Sequence, residues 1–162
     1  MDDDIISIID ESIDLELNVS NLYSIFHKVF PDDASFWWKL EMEENNHAAL
    51  IRSGKECFLP INKFPDGLLA NSLRELKDTN RKIVSLIKKY EEIPPSREEA
   101  LNIAIELENS AGELHFQYFM DQEVGPKINE IFKRLNKDDK DHAMRIRSYM
   151  ESHEIQIQTK DK

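Results

Sequence analysis

The sequence predicts an all-α chain: two helical hairpins joined by a long crossover that holds a helix of its own. Three observations carry the prediction. The prolines, Pro31, Pro60, Pro65, Pro94, Pro95 and Pro126, divide the 162 residues into long proline-free stretches. Those stretches are rich in Leu, Ile, Glu, Lys and Ala, most of which favour helix, whereas proline breaks helix interiors. Apolar residues recur within them at alternating steps of three and four, and nothing alternates with period two over a strand's length.

Helix A is predicted at about 3–29 and helix B at about 33–56, with Asp32 or Asp33 as the cap of B. A crossover follows and holds a helix at about 67–91. Ser96 caps helix C, at about 97–122, and Glu98 and Glu99 in its first turn suit the positive end of the helix dipole. Pro126 is a good first residue for helix D, which runs to about 152. Residues 1–155 make one domain, and the polar segment 156–162 is expected to be frayed and disordered. The A–B and C–D connections are short, so each pair should be antiparallel. The B–C connection is long. Two hairpins joined this way give the connectivity of ferritin-like four-helix bundles.

Hydrophobic residues make up 40% of the chain and charged residues 33%, which fits a globular protein rather than a disordered one. Acidic residues outnumber basic ones 32 to 21, for a net charge of −11. Such a balance weighs against nucleic acid or an anionic membrane as a partner held by bulk charge. The single cysteine, Cys57, rules out an internal disulfide framework, a four-cysteine zinc site and a rubredoxin-type iron site. The Met-Asp-Asp-Asp start lacks the positive region and apolar run of a secretory signal. No apolar stretch approaches the ~20 residues of a membrane helix. A soluble, cytoplasmic protein is the expectation.

The seams of these helices carry polar residues where a core should be. Helix A gives Ile9, Ile13, Glu16, Ser20 and Tyr23, and helix B gives Trp37, Leu40, Glu44, His47 and Ile51. Helix C gives Leu101, Ala104, Glu108, Ala111 and His115. Helix D gives Ile128, Ile131, Leu135, Asp139, His142, Ile146 and Tyr149. Each seam starts apolar and carries a carboxylate near its middle, and on B and D a histidine follows three residues later. Four unpaired buried carboxylates would each cost several kcal/mol and would repel one another. Two divalent cations balance four such charges, and neutral histidines add one nitrogen each. The i, i+3 spacing lets a carboxylate and an imidazole on one helix face reach the same ion. A lone seam glutamate reads as a hydrogen-bonded core acid and a lone histidine as a satisfied core residue; six together reverse that reading.

An internal repeat supports the pattern. Ile13-Asp14-Leu15-Glu16-Leu17-Asn18 matches Ile105-Glu106-Leu107-Glu108-Asn109-Ser110, with the glutamates 92 residues apart. Glu44-Asn45-Asn46-His47-Ala48 matches Asp139-Lys140-Asp141-His142-Ala143, with the histidines 95 apart, so the hairpins look duplicated.

On these motifs (Glu16 with Tyr23, Glu44-x-x-His47, Glu108, and Asp139-x-x-His142) the chain resembles the rubrerythrin branch of the ferritin-like superfamily over about residues 3–152. The resemblance implies a binuclear non-haem iron site that reacts with dioxygen or peroxide. Glu16 and Glu108 would then be terminal ligands, Glu44 and Asp139 bridges, and His47 and His142 would complete the two coordination spheres. Tyr23 and His115, two turns beyond their glutamates, suit hydrogen bonding to ligands rather than ligation. Asp139 is shorter than the family's usual glutamate, and Asp138, four residues before His142, is an alternative ligand. Ala111 stands where rubrerythrins carry an extra glutamate, which counts against the ligand exchange linked to their peroxidase action. With no rubredoxin domain, an enzyme of this kind needs a separate electron-donor protein. The resemblance also implies a homodimer. Nitrogen and oxygen ligands accept iron, manganese or zinc alike.

The leading expectation is thus a di-iron oxidoreductase, either reducing peroxide or dioxygen or oxidising ferrous iron. An iron-binding or storage module without turnover is the second, and a metal-free interaction bundle the third. His27 and His153 are expected to face solvent, as are the acidic runs such as Glu41–Glu43; at most one of Trp37 and Trp38 can centre on the seam.

Overall fold

A computed structural model of the chain describes residues 3–64, 72–109 and 142–158. The described residues form five α-helices and two short 3-10 turns, with no strand among them. None of these helices is long and apolar enough to cross a membrane.

Helix α1 spans Asp3–Val29, and α2 spans Ala34–Phe58 after a 3-10 turn at Pro31–Asp33. Proline at the head of that turn cannot continue α1, and the turn is short enough to fold α2 straight back. Contacts run in opposite order along the two helices. Asp10 pairs with Lys55, Glu16 meets His47, Ser20 accepts from Asn45, and His27 meets Glu41. The pair is therefore antiparallel, as expected. Asp33 sits at the cap position of α2 but its side chain caps nothing. Arg97 and Tyr149 take its carboxylate instead, because a charged fork and a phenol compete better for it than one backbone N–H.

A second 3-10 turn, Leu59–Ile61, ends α2, and Asn62 closes it in the left-handed region at φ 53°. Helix α3 (Leu73–Glu92) lies in the crossover, with Ser72 accepting the Glu75 N–H as its cap. Its buried residues Leu76, Asn80, Ile83 and Tyr90 repeat at helical spacing. Asn80 anchors it to α1 by donating to Glu11 and accepting from Asn18.

Helix α4 (Arg97–Glu108) starts at the expected cap, where Ser96 accepts the Glu99 N–H at 3.1 Å. Helix α5 (His142–Ser152) packs on it. Glu108 meets His142 and Asn102 meets Gln156, so these two also run antiparallel. The remainder of predicted helices C and D, including Ala111, His115, Asp138 and Asp139, lies outside the described residues. The expected frayed tail is pinned at its start. Asn102 donates to the Gln156 carbonyl and accepts the Gln158 N–H, since a side-chain amide can pair with backbone on both counts.

Two apolar clusters fill the interior. Ile9, Ile13, Ala48, Ile51 and Leu59 form the smaller; Val19, Tyr23, Phe26, Trp37, Leu40, Leu101, Ala104 and Ile146 belong to the larger. Trp37 is buried against Phe26 and Tyr23, whereas Trp38 is exposed. Along α1, Glu16 falls between Ile13 of one cluster and Val19 of the other. Along α2, Glu44 and His47 fall between Leu40 and Ala48. The polar layer lies where the two apolar clusters part.

Candidate metal centre

Four of the helices deliver seam residues to that layer, and α3 delivers none to the ligand clusters. Glu16 from α1, Glu44 and His47 from α2, Glu108 from α4 and His142 from α5 are all at most 2% exposed. Glu44 and His47 share a face because they lie one helical turn apart.

Glu44 sits in the middle. Its Oε2 lies 3.1 Å from His47 Nδ1, and its Oε1 lies 2.8 Å from His142 Nδ1. Glu16 Oε2 approaches His47 Nδ1 at 3.6 Å, and Glu108 Oε2 approaches His142 Nδ1 at 3.3 Å. The imidazoles face each other nearly parallel, with centroids 5.3 Å apart and 13° between their planes. Two triads result, Glu16–Glu44–His47 and Glu44–Glu108–His142, each with ligand atoms within 4.8 Å of one another. They share Glu44.

Electrostatics explains how this cluster survives in a core. Burial pushes the Glu16 carboxyl up to about 7, and the nearby His47 imidazole offsets only part of that. Burial opposes charge on His47, but Glu44 and Glu16 outweigh it and raise the imidazolium to about 10. His142 is likewise held well above its usual range, against burial, by Glu44 and Glu108. Burial would raise Glu44 too, yet His142 and His47 hold it far below the ordinary carboxylate range. Protonated histidines thus stand beside Glu44 where cations can stand.

The donor set fits a metal. Ligand atoms bound at about 2.1 Å in tetrahedral or octahedral geometry lie roughly 3.0–3.4 Å from one another. The observed nitrogen–oxygen separations span 2.8–3.6 Å. Glu16 Oε2, Glu44 Oε1 and Glu108 Oε2 are buried and make no hydrogen bond among the described residues. Such oxygens are costly to bury unless something occupies them. Glu108 Oε1 accepts from the Tyr23 hydroxyl at 2.7 Å, which leaves Oε2 to the centre.

Five of the six expected ligands therefore converge, and Asp139 and His115 lie outside the described residues. Tyr23 donates its hydroxyl to Glu108, on another helix 85 residues away. The expectation of a solvated Glu41–Glu43 run fails at Glu43. It is 5% exposed, is held by Arg145 through both carboxylate oxygens, and lies 3.4 Å from His142 Nε2. A signal for it exists in the sequence: Leu40, Glu43, His47 steps by three and four as well as Leu40, Glu44, His47 does. His27 is half-buried against Glu41, and His153 is exposed.

Comparison of the chain with known protein families, with curated proteins and with solved structures found no match.

Proposed function

We propose that this chain is a ferritin-like, rubrerythrin-type protein that binds two metal ions, with iron as the working metal. It would reduce peroxide or dioxygen, or oxidise ferrous iron. One observation supports this above all: Glu44 turns one oxygen to each histidine, so two three-residue sets meet at one carboxylate. Glu16 and His47 would hold one ion, Glu108 and His142 the other, and Glu44 both. Asp139, expected from the resemblance as a second bridge, completes the proposed set.

Bound iron supplies one-electron redox chemistry and open positions for an oxygen-containing substrate. The residues of the chain do the rest. The apolar clusters on either side exclude water from the layer. Tyr23 holds Glu108 with one oxygen turned inward. His47 and His142 release protons as an ion arrives, since only the neutral imidazole ligates. Electrons would come from a separate donor protein, and the working form would be a cytoplasmic homodimer.

One observation favours a second reading, a metal-free interaction bundle. The two raised histidines already offset Glu44 within the core, so the cluster is partly neutralised without an ion.

Metal analysis of protein purified without chelators separates the two, together with absorption spectra before and after ferrous iron and peroxide. The proposal expects about two iron ions per chain and a near-ultraviolet ferric band that grows on oxidation. Protein that takes up no metal after reconstitution contradicts it and leaves the bundle reading.

A further inference from the structure

We propose that Glu43 is a positioning residue, one that fixes which ring nitrogen of His142 faces the metal. The proposal rests on the metal reading above and extends it to a residue outside the ligand set.

The His142 ring lies between two groups of carboxylates. On its inner side, Nδ1 is 2.8 Å from Glu44 Oε1 and 3.3 Å from Glu108 Oε2. On its outer side, Nε2 is 3.4 Å from Glu43 Oε2. A neutral imidazole has one N–H and one lone pair, and the partner of one nitrogen decides the role of the other. An ionised carboxylate only accepts. Once a cation engages Glu44 and Glu108, their oxygens no longer favour a proton on Nδ1. Glu43 remains as an acceptor on the far side, so the proton stays on Nε2 and the Nδ1 lone pair points at the metal.

Nε2 is buried and makes no hydrogen bond among the described residues. A small turn of the ring on metal binding would bring its N–H onto Glu43 and satisfy it. Glu43 is held still for that purpose. Arg145 donates to Oε1 at 2.8 Å and also to Oε2, and Lys39 stands 3.8 Å from Oε1. Carboxylates behind ligating histidines typically contribute 10–100-fold to metal affinity. Because Glu43 touches His142, its effect should fall on the ion held by Glu108 and His142.

The test is zinc titration of the full chain as wild type, Glu43→Ala, Glu43→Gln and Arg145→Met. Long-range proton–nitrogen NMR of the imidazoles in the zinc-loaded protein accompanies it. In the wild type, His142 should ligate through Nδ1 and show a slowly exchanging Nε2 proton. Glu43→Ala should weaken one zinc ion by about 10–100-fold and the other by less than about threefold. Glu43→Gln should act in the same direction by a smaller factor, and it decides the matter if the alanine variant does not fold. Arg145→Met leaves the carboxylate but frees it to move, so it should lower thermal stability and weaken the same zinc ion by a smaller factor than Glu43→Ala does.

Affinity unchanged in the Glu43 variants, ligation of His142 through Nε2, or an equal loss of affinity in Arg145→Met would each overturn the proposal. A wild type that binds no zinc overturns the metal reading, and this inference with it. A wild type that binds two zinc ions beside an unaffected Glu43→Ala overturns this inference alone.

Discussion

Asp33 and Glu44 are both buried carboxylates, and the chain treats them differently. Asp33 accepts from Arg97 Nε, Arg97 Nη2 and the Tyr149 hydroxyl, each at 2.6 Å. Burial raises its pKa, but these donors outweigh burial and hold the carboxyl below its usual range. Glu44 faces His47 and His142, and its Oε1 makes no hydrogen bond among the described residues. The difference lies in the partners. A guanidinium cannot give up its proton, so the Asp33 knot is finished and ties the α1–α2 turn to the start of α4 and to α5. An imidazole can give up its proton, so the surroundings of Glu44 can exchange protons for metal. A buried charge that its own chain closes belongs to the fold; one that meets exchangeable partners is a candidate site.

The largest expected effect separates the two carboxylates outright. Glu44→Gln should lower zinc affinity for both ions by at least ~1000-fold, about 4 kcal/mol, while Asp33→Asn should leave both unchanged. Calorimetric titration of the two variants checks this, and equal losses would erase the distinction.

The two regions should also respond to pH with opposite slopes. Glu16 rises from an ordinary value near 4.5 to about 7 on folding, so the folded chain keeps a proton that the unfolded chain releases. Metal-free stability should then fall between those two values, by roughly 3 kcal/mol. His47, raised to about 10, contributes stability that is complete below about 6.5 and is lost as pH climbs toward 10. The depressed carboxyl of Asp33 works the other way, stabilising above its unfolded value and losing that contribution as pH falls through its folded one. Zinc reverses the dependence of the site, because its ligands must shed those same protons. Urea unfolding at pH 5, 7 and 9, with chelator and with zinc, should show metal-free stability falling and the zinc-dependent increment growing. A metal-free stability that climbs over this range contradicts the cluster's electrostatics.

Asp33→Ala should destabilise the chain by about 2–3 kcal/mol, less than a fully buried pair loses because Arg97 is partly exposed. Denaturant unfolding would reveal it, and the folded fraction should still bind two zinc ions. Smallest is Ser96→Ala, which removes one cap bond and should cost about 1 kcal/mol with no effect on metal.

What could be read from the sequence follows the same division. Helix α1, the Ser96 cap and the buried seam residues were legible because helical periodicity and capping are local rules. Asp33 stands at the expected cap position, but its side-chain partners, Arg97 and Tyr149, are 64 and 116 residues away, where no local rule reaches. Glu43 escaped because alternating steps of three and four fit it as well as Glu44, and only packing against Arg145 and His142 shows that both face inward. The bond from Tyr23 to Glu108 crosses 85 residues of chain, and no spacing on α1 announces it. Periodicity tells which face a residue occupies; the partner across the bundle is a tertiary fact.

In the proposed function one carboxylate, Glu44, serves two ions. Ions joined by a shared carboxylate lie about 3.5–4 Å apart, close enough for their electron spins to couple. Electron paramagnetic resonance of the protein loaded with two equivalents of manganese(II) tests this most directly. The spectrum should be exchange-coupled in the wild type, and the coupling should collapse in Glu44→Gln. Two equivalents bound with the six-line signal of isolated manganese would contradict it.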